Sequence, residues 1–131
     1  MSKAIQLKRN NEFLYPISQV YSDEEVKIGI WVNGKPLYRK LIFPSCPSTT
    51  EYGTYATSTS KIADNIDTAF IEWSFIRDNA NQKQPLLYVT NAGYVTKAFI
   101  DGSKQYYIAN NNKDYNNCLI TASILYTKTT D

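Results

Sequence analysis

The chain contains no histidine and is poor in cysteine, methionine and glycine. Without histidine, Ser-His-Asp and Cys-His catalysis are both excluded. The five glycines, at positions 29, 34, 53, 93 and 102, are scattered, so no glycine-rich phosphate loop exists. The two cysteines have no CxxC spacing and no histidine to join them. The sequence therefore predicts no metal site and no cofactor.

Long apolar runs are also absent. No stretch approaches the ~20 residues of a membrane span, so we expect no membrane insertion. The N-terminus, MSKAIQLKRNNEF, lacks the apolar segment of a signal peptide, which predicts synthesis in the cytoplasm. Cys46 and Cys118 would remain thiols there, although a disulfide between them is possible. A net charge of only +2 argues against bulk nucleic-acid binding.

One enzyme class survives these exclusions, namely glycoside cleavage by two carboxylates. Nothing in the sequence pairs any two acidic residues for that reaction. We therefore expect no enzyme activity. The candidate carboxylates are Glu51, Glu72, Asp78 and Asp101.

The fold class follows from what the chain does contain. Its 131 residues, 43% of them apolar, suffice for one compact domain without a staple. Short strands with turn signals every ~8–12 residues predict an all-β fold. We expect an antiparallel β-sandwich or a jelly-roll-like barrel of about eight strands, with little or no helix. Residues 1–25 would form an N-terminal arm or short strand pair, and residues 26–131 a single sandwich without a second domain.

Two hairpin signals and three runs of alternating apolar residues predict where the turns and strands lie. Asn33-Gly34 and Asp101-Gly102 predict two-residue turns. Val26 to Val32 reads as a strand with Val26, Ile28, Ile30 and Val32 on its core face, which leaves Trp31 out of phase. The Asn91-Ala92-Gly93 turn separates two further predicted strands, Pro85–Thr90 and Tyr94–Ile100. The other later strands are Leu37–Phe43, Ala69–Arg77 (Ile71, Trp73 and Phe75 on one face), Gln105–Ala109, and Leu119–Thr127 (Ile120, Ala122, Ile124 and Tyr126 on one face).

The composition also favours a binding protein over an enzyme. The chain has eleven tyrosines, and tyrosine suits both strands and recognition surfaces because one end is apolar and the other polar. Aromatic faces stack on the C–H surfaces of sugars, while amides and carboxylates bond the hydroxyls. Tyrosine, tryptophan, asparagine and aspartate all occur in the predicted loops and on strand faces.

Three segments resemble phage tail-fibre and tail-tip proteins. YSDEEVKIGIWVNGKPLYRKLI, at 21–42, resembles their "YST-E-E … G-x-W-x-x-G-K-P-L-Y-x-K" signature. KAIQLKRNNEFLYPIS resembles their "AIQLK…YPIT" opening, and ASILYTK resembles their closing "LEYTK" strand, with Leu125 where an acidic residue is common. These segments cover about 45 residues in the expected order, and the middle of the chain carries no such motif. The chain also lacks room for the shaft of a long fibre.

The resemblance implies an all-β, non-catalytic receptor-binding domain in the virion tail, usually a homotrimer. Its partners would be a bacterial cell-surface glycan or wall polymer and other phage tail proteins. On this basis Trp31, Tyr38 and Ile42 become candidates for a subunit interface. The alternatives for this second apolar face are closure by the N-terminal arm of the same chain, or a ligand platform.

In such fibres the distal loops usually bind the receptor. The candidates here lie in the loops around residues 52–55, 79–82 and 110–117, and on the strand at 105–109. Each loop residue is equally well explained as part of a solvated loop. The candidate ligand-binding residues are Tyr52, Tyr55, Asn79, Tyr107, Asn112 and Tyr115.

Two other functions remain open from the sequence. A structural tail or baseplate component would share the resemblance but bind no cell-surface polymer. A stand-alone carbohydrate-binding module would share the fold and the aromatic loops without a need to trimerise.

Overall fold

A computed structural model describes residues 21–130. They form nine strands and one short 3₁₀ helix between the last two strands. The bounds are β1 Val26–Ile30, β2 Pro36–Ile42, β3 Ala56–Ser60, β4 Ile66–Arg77, β5 Lys83–Pro85, β6 Tyr88–Val89, β7 Val95–Ile100, β8 Tyr106–Asn110, the 3₁₀ helix Lys113–Tyr115, and β9 Ile120–Lys128.

The strands form two antiparallel sheets, and the predicted all-β sandwich is confirmed. The larger sheet has the order β1-β2-β9-β4-β5 and the smaller the order β3-β8-β7-β6. Nine strands are present instead of about eight, because the segment predicted as one strand, Pro85–Thr90, divides between β5 and β6. These two short strands belong to different sheets, so the chain crosses the sandwich between them.

Strand β9 supplies the centre of the core. Its inward residues Ile120, Ala122, Ile124 and Tyr126 are fully buried, which confirms the predicted face. Burying one isoleucine side chain contributes roughly 1.5–3 kcal/mol, so this strand anchors the larger sheet. Tyr106 and Ile108 of β8 are also fully buried and belong to the same cluster.

The side chains of strand β4 do not all point in the directions that the sequence predicts. The register shifts between Ile71, which pairs with Ile124, and Trp73, which pairs with Ser123. This β-bulge places one extra residue, Glu72, in the strand and reverses the side-chain alternation beyond it. Ile71 therefore joins the core, whereas Trp73 and Phe75 lie on the outer face of the sheet. The prediction that these three share a face is wrong.

Strand β1 is shorter than predicted, and its core face is also wrong. The strand ends at Ile30, which is 61% exposed, and Val32 is 90% exposed. A register shift between Lys27 and Gly29 breaks the alternation that the apolar spacing suggested. Trp31 instead lies half-buried, with its ring centroid 5.0 Å from that of Phe70 on β4.

Both predicted hairpin turns are present, but each has three loop residues instead of the expected two, for one physical reason. Four connections use the same three-residue loop between two flanking residues. If these five residues are numbered 1 to 5, the N–H of residue 4 donates to the carbonyl of residue 1. The N–H of residue 1 donates to the carbonyl of residue 5. Only the fourth residue needs a positive φ in this geometry. The four turns are Trp31–Lys35, Asp78–Gln82, Thr90–Tyr94 and Asp101–Gln105, with Gly34, Asn81, Gly93 and Lys104 at positive φ.

The structure places Tyr38 and Ile42, two of the three residues predicted for a subunit interface, on the core side of β2 and not on its outer face. They pair with Tyr126 and Ala122, whose side chains point into the core. Ile42 is 9% exposed, and the Tyr38 ring stacks on Tyr126 at 5.7 Å. The predicted arm lies largely outside the described residues, which begin within it at Tyr21.

Candidate functional site

One end of the sandwich gathers most of the long connections. The loops 43–55 and 111–119 meet there with the turns Asp78–Gln82 and Thr90–Tyr94. We call this the loop end. Backbone hydrogen bonds join the loops to one another, since the Gly53 N–H donates to the Asn111 carbonyl at 2.9 Å and the Cys46 N–H to the Cys118 carbonyl at 2.8 Å.

An asparagine run forms the scaffold of the loop end. Asn110, Asn111 and Asn112 were predicted to lie in a polar loop, yet they are 0%, 7% and 2% exposed. The Asn110 Oδ1 accepts from the Thr96 hydroxyl at 2.8 Å, and the Asn111 Oδ1 accepts from the Val95 N–H at 2.6 Å. Buried amides are satisfied here by strand β7, so they hold the loops in fixed positions.

A cleft opens above this scaffold. We define the loop-end cleft as two adjoining depressions of about 370 and 510 Å³ that share part of their walls. Aromatic, amide and carboxylate side chains all face it. The residues that matter below are Tyr52, Asn79, Tyr88, Tyr94, Asn112, Asp114 and Tyr115.

Tyr52, Tyr94 and Asp114 form the upper wall of the cleft. The Tyr52 and Tyr94 rings lie 5.0 Å apart with a 36° tilt, and the Tyr52 hydroxyl donates to Asp114 Oδ1 at 2.5 Å. That hydrogen bond raises the pKa of Tyr52. Asn79 donates from Nδ2 to the Asp114 carbonyl at 3.4 Å. An exposed ring, a carboxylate and an amide thus lie within one hydrogen-bonded group.

Asn112 and Tyr115 form the floor of the cleft. Both are buried, and Asn112 Oδ1 accepts from the Asp114 N–H at 3.0 Å, which caps the 3₁₀ helix. The Tyr115 ring packs against Tyr88 at 5.5 Å. Burial and the hydrogen bond with Tyr88 raise the pKa of Tyr115 well above its usual range. These residues therefore position the wall rather than extend into solvent.

A second aromatic surface lies on the outer face of the four-stranded sheet. We call it the aromatic shelf, and it consists of Tyr55, Phe99 and Tyr107 around a hollow of about 320 Å³. Phe99 and Tyr107 are cross-strand neighbours with rings 4.8 Å apart. The Lys97 ammonium lies 5.6 Å from the centroid of the Tyr55 ring, and Ala109 leaves room between the rings.

The structure divides the six predicted ligand residues between these two surfaces. The loop-end cleft contains Tyr52, Asn79, Asn112 and Tyr115, and the aromatic shelf contains Tyr55 and Tyr107. Sequence reasoning missed Tyr94 and Asp114. Tyr94 directly follows the Asn91-Ala92-Gly93 turn, and Asp114 follows the capping asparagine by two residues, so both had a local signal.

Three of the four candidate carboxylates hold structural hydrogen bonds. Glu72 accepts from Arg39 and Ser123. Asp78 Oδ1 accepts from two turn N–H groups, and Asp101 Oδ1 does the same in its own turn. Glu51 is exposed in the loop before β3.

The cysteines are two buried free thiols on neighbouring segments. Burial, together with the nearby Cys118, raises the pKa of Cys46 to about 12. Within residues 21–130, no cluster of three or more His, Cys, Asp or Glu side chains could hold a metal ion. No helix in the described part of the chain is long and apolar enough to cross a bilayer.

Comparison with known proteins gave no match to a family profile, to a curated protein or to a solved structure.

Proposed function

We propose that this chain is a non-catalytic receptor-binding protein of a phage tail tip, which attaches to a glycan on the bacterial surface. The loop-end cleft supports a ligand-binding role. Tyr52, Tyr94 and Asp114 lie together in its wall, above the hydrogen-bonded residues of its floor. The phage context and the homotrimer rest on the resemblance of the two chain ends and the first hairpin to tail-fibre proteins.

The chemistry of the cleft suits a sugar. Tyr52 is 46% exposed and offers a ring face to the C–H surface of a pyranose. Asp114 and Asn79 supply a carboxylate and an amide beside that ring, which is the combination that hydroxyl groups require. A few convergent polar groups in an otherwise aromatic depression are typical of small-ligand sites.

The rigidity of the cleft also favours sugar binding. The buried asparagine run and the capped 3₁₀ helix fix the positions of Tyr52 and Asp114 before any ligand arrives. A preorganised site loses less conformational entropy on binding, which matters for the weak contacts of a single sugar. The aromatic shelf, with Lys97 at its edge, offers further contacts for a polymeric ligand.

The test is a pull-down of the purified protein by cell walls and wall polysaccharides from a panel of candidate hosts. Saturable, strain-selective binding is expected, and light scattering on the same sample gives the solution mass. The variant Tyr52→Ala should weaken that binding about tenfold, since a loss of ~1.4 kcal/mol corresponds to a factor of ten.

Two matched variants sharpen this result. Tyr52→Phe keeps the ring and removes the hydrogen bond to Asp114, so it separates stacking from hydroxyl chemistry. Val32→Ala changes a residue that is 90% exposed at the opposite end of the sandwich and should leave binding unchanged. If no wall or polysaccharide binds the native protein, the proposal is rejected in favour of a structural tail component. Binding to glycans by a monomer from a non-phage source would instead favour a stand-alone carbohydrate-binding module.

A further inference from the structure

The two cysteines lie opposite each other on antiparallel segments of the loop end. Ser45 and Leu119 form an isolated antiparallel bridge, and the two cysteines are the residues next to that bridge. The Cys46 N–H donates to the Cys118 carbonyl at 2.8 Å, and the Cys46 carbonyl accepts from the Asn117 N–H at 3.1 Å. Asn117 has a φ of 64°, so this pairing is a G1-type bulge in which Cys118 faces Cys46.

The spacing of the two cysteines suits a covalent bond between them. Ser45 and Leu119 are exposed. Cys46 and Cys118, by contrast, are 1% and 6% exposed and belong to one core cluster, so both side chains lie on the inner side. Hydrogen-bonded neighbours on antiparallel strands have Cα atoms about 5.5 Å apart, and disulfides span about 4.4–6.8 Å between Cα atoms. The backbone therefore holds the pair at the separation that a disulfide requires.

Cys118 is the thiol that a small reagent reaches first. It lines an open depression of about 460 Å³ formed with residues of the Asp78–Gln82 turn. Cys46 is more deeply buried and does not line that depression. Burial and the nearby Asp78 carboxylate raise the pKa of Cys118. Because the thiolate is the reactive form, its attack on a reagent is faster in mildly alkaline buffer.

We propose that Cys46 and Cys118 are a disulfide site that links the segments 43–55 and 111–119 covalently in an oxidising medium. The co-reactant is a small-molecule disulfide, for which oxidised glutathione serves as the probe. The Cys118 thiolate attacks one glutathione sulfur and releases the first glutathione thiolate. The Cys46 thiolate then attacks the Cys118 sulfur of the mixed disulfide and releases the second. The protein loses two electrons and two protons, which leave in the S–H groups of two reduced glutathione molecules.

The cross-link lies among the segments that build the loop-end cleft. Segment 43–55 carries Tyr52, and segment 111–119 carries Asp114. Hydrogen bonds already join the two segments, so the bond restrains them without moving them apart. It closes a loop of roughly 70 residues, which restricts the unfolded chain more than the folded one. This inference does not depend on the proposed glycan binding, because its readouts are thiol chemistry and stability.

The effective concentration of the two thiols measures whether the fold favours the bond. Folded protein and urea-unfolded protein are equilibrated with mixtures of reduced and oxidised glutathione, and mass spectrometry after an acid quench gives the dithiol and disulfide fractions. A second set is refolded from urea into the same mixtures, so slow exchange of buried thiols does not prevent equilibrium.

The equilibrium constant for disulfide formation should be about 100-fold larger in the folded protein, which matches the usual stabilisation by a disulfide. A non-reducing digest should link the peptides that contain Cys46 and Cys118 within one monomer. An equal or smaller constant in the folded protein would overturn the proposal. Links between two molecules in place of the internal bond would overturn it as well.

Moving one thiol by a single residue gives the matched control. In the double variant Ser45→Cys, Cys46→Ser, the thiol lies on the exposed side of its segment, so the constant should fall to the value of the unfolded protein. Cys46→Ser alone should retain glutathione on Cys118, whereas Cys118→Ser should react much more slowly, because Cys46 is 1% exposed. Equal disulfide formation in the shifted variant would contradict the geometry, and faster reaction at Cys46 would contradict the order of attack.

Thermal unfolding gives an independent readout. The oxidised protein should unfold roughly 10 °C above the reduced protein, and dithiothreitol should remove the difference. The shifted double variant, treated with the same glutathione mixtures, should show no such difference. An unchanged or lowered midpoint in the oxidised native protein would mean that the bond strains the fold, and the proposal would be rejected.

Discussion

The two outer faces of the sandwich differ sharply although both consist of antiparallel strands. The five-stranded sheet presents Trp31, Phe70, Trp73 and Phe75, which we call the outer ridge, above the ion pair between the buried Arg39 and the partly exposed Glu72. The four-stranded sheet presents Thr57, Lys97 and the aromatic shelf, with Phe99 41% exposed. The comparison teaches that aromatic content alone does not mark a ligand site. The faces differ in what lies beneath the rings, because buried polar side chains such as Arg39 and Ser123 lie under those of the five-stranded sheet.

The largest effect is expected when the ion pair on the outer face of the five-stranded sheet is broken. Arg39→Ala should lower the free energy of unfolding by about 3 kcal/mol or more, because it leaves the carboxylate of Glu72 without its bidentate partner. Urea denaturation followed by circular dichroism measures the change.

Lys97→Ala on the shelf is the matched control for that variant. It removes a charge from the open face and should change stability by no more than about 0.5 kcal/mol. A double change of Arg39 and Glu72 to leucine should recover part of the loss. If Arg39→Ala and Lys97→Ala cost the same, the two faces do not differ in the way described.

A pair of phenylalanines gives the next largest difference. Phe75→Ala on the outer ridge should cost about 2 kcal/mol, and Phe99→Ala on the shelf less than about 1 kcal/mol. The chemistry is the same in both variants, so the difference reports how deeply each phenylalanine ring is buried. Equal losses in urea denaturation would contradict the deeper burial of Phe75 relative to Phe99.

Glu72 makes the stability of the first face depend on pH. Burial raises the pKa of this carboxyl, but hydrogen bonds from Arg39 and Ser123 and the charge of Arg39 outweigh that effect and lower it below the usual 4.5. A lowered pKa in the folded state gives stability that is present above the unfolded value and lost as pH falls through the folded value.

We therefore expect the unfolding free energy to decline as the pH drops below about 4.5, and Glu72→Gln to reduce that decline. Unfolding midpoints measured from pH 7 to pH 3 give both curves. An identical pH dependence in the variant would show that other carboxyls cause it.

The smallest effect concerns charge near the two binding surfaces. Lys97 lies over Tyr55, and Lys113 has its ammonium 5.8 Å from the Tyr52 ring. Lys97→Gln and Lys113→Gln should each weaken binding to an acidic wall polymer by a few-fold, since an exposed charge contact contributes about 0.5–1 kcal/mol. Binding to a neutral glycan should not change, and added salt should remove the difference between native and variant proteins.

One central part of the core, the buried face of β9, could be predicted from the sequence. The alternation of Ile120, Ala122, Ile124 and Tyr126 predicted the buried face of β9, because no bulge interrupts that stretch. The prediction of all-β structure and of turns at Gly34 and Gly93 followed from the same local rules. Four of the six candidate ligand residues do lie around one cleft, because loops at one end of a sandwich are brought together by strand pairing.

The errors occur where local pattern and tertiary pairing disagree. Single extra residues at Ile28 and Glu72 reversed the alternation, and bulges of this kind depend on the partner strand rather than on the sequence of the bulged one. The asparagine run looked like a solvated loop because amides are usually exposed. Its burial follows from acceptor and donor groups on β7 and the 43–55 loop, which are distant in sequence.

By itself the sequence determined the fold class, the buried face of β9 and the exclusion of histidine-dependent catalysis, because these follow from residue types and their spacing. Only the tertiary structure decided which aromatic residues face solvent. It placed Trp31, Trp73 and Phe75 on one outer face and turned Tyr38 and Ile42 into the core. The physical reason is that side-chain direction in a strand depends on register, and register is set by the neighbouring strand.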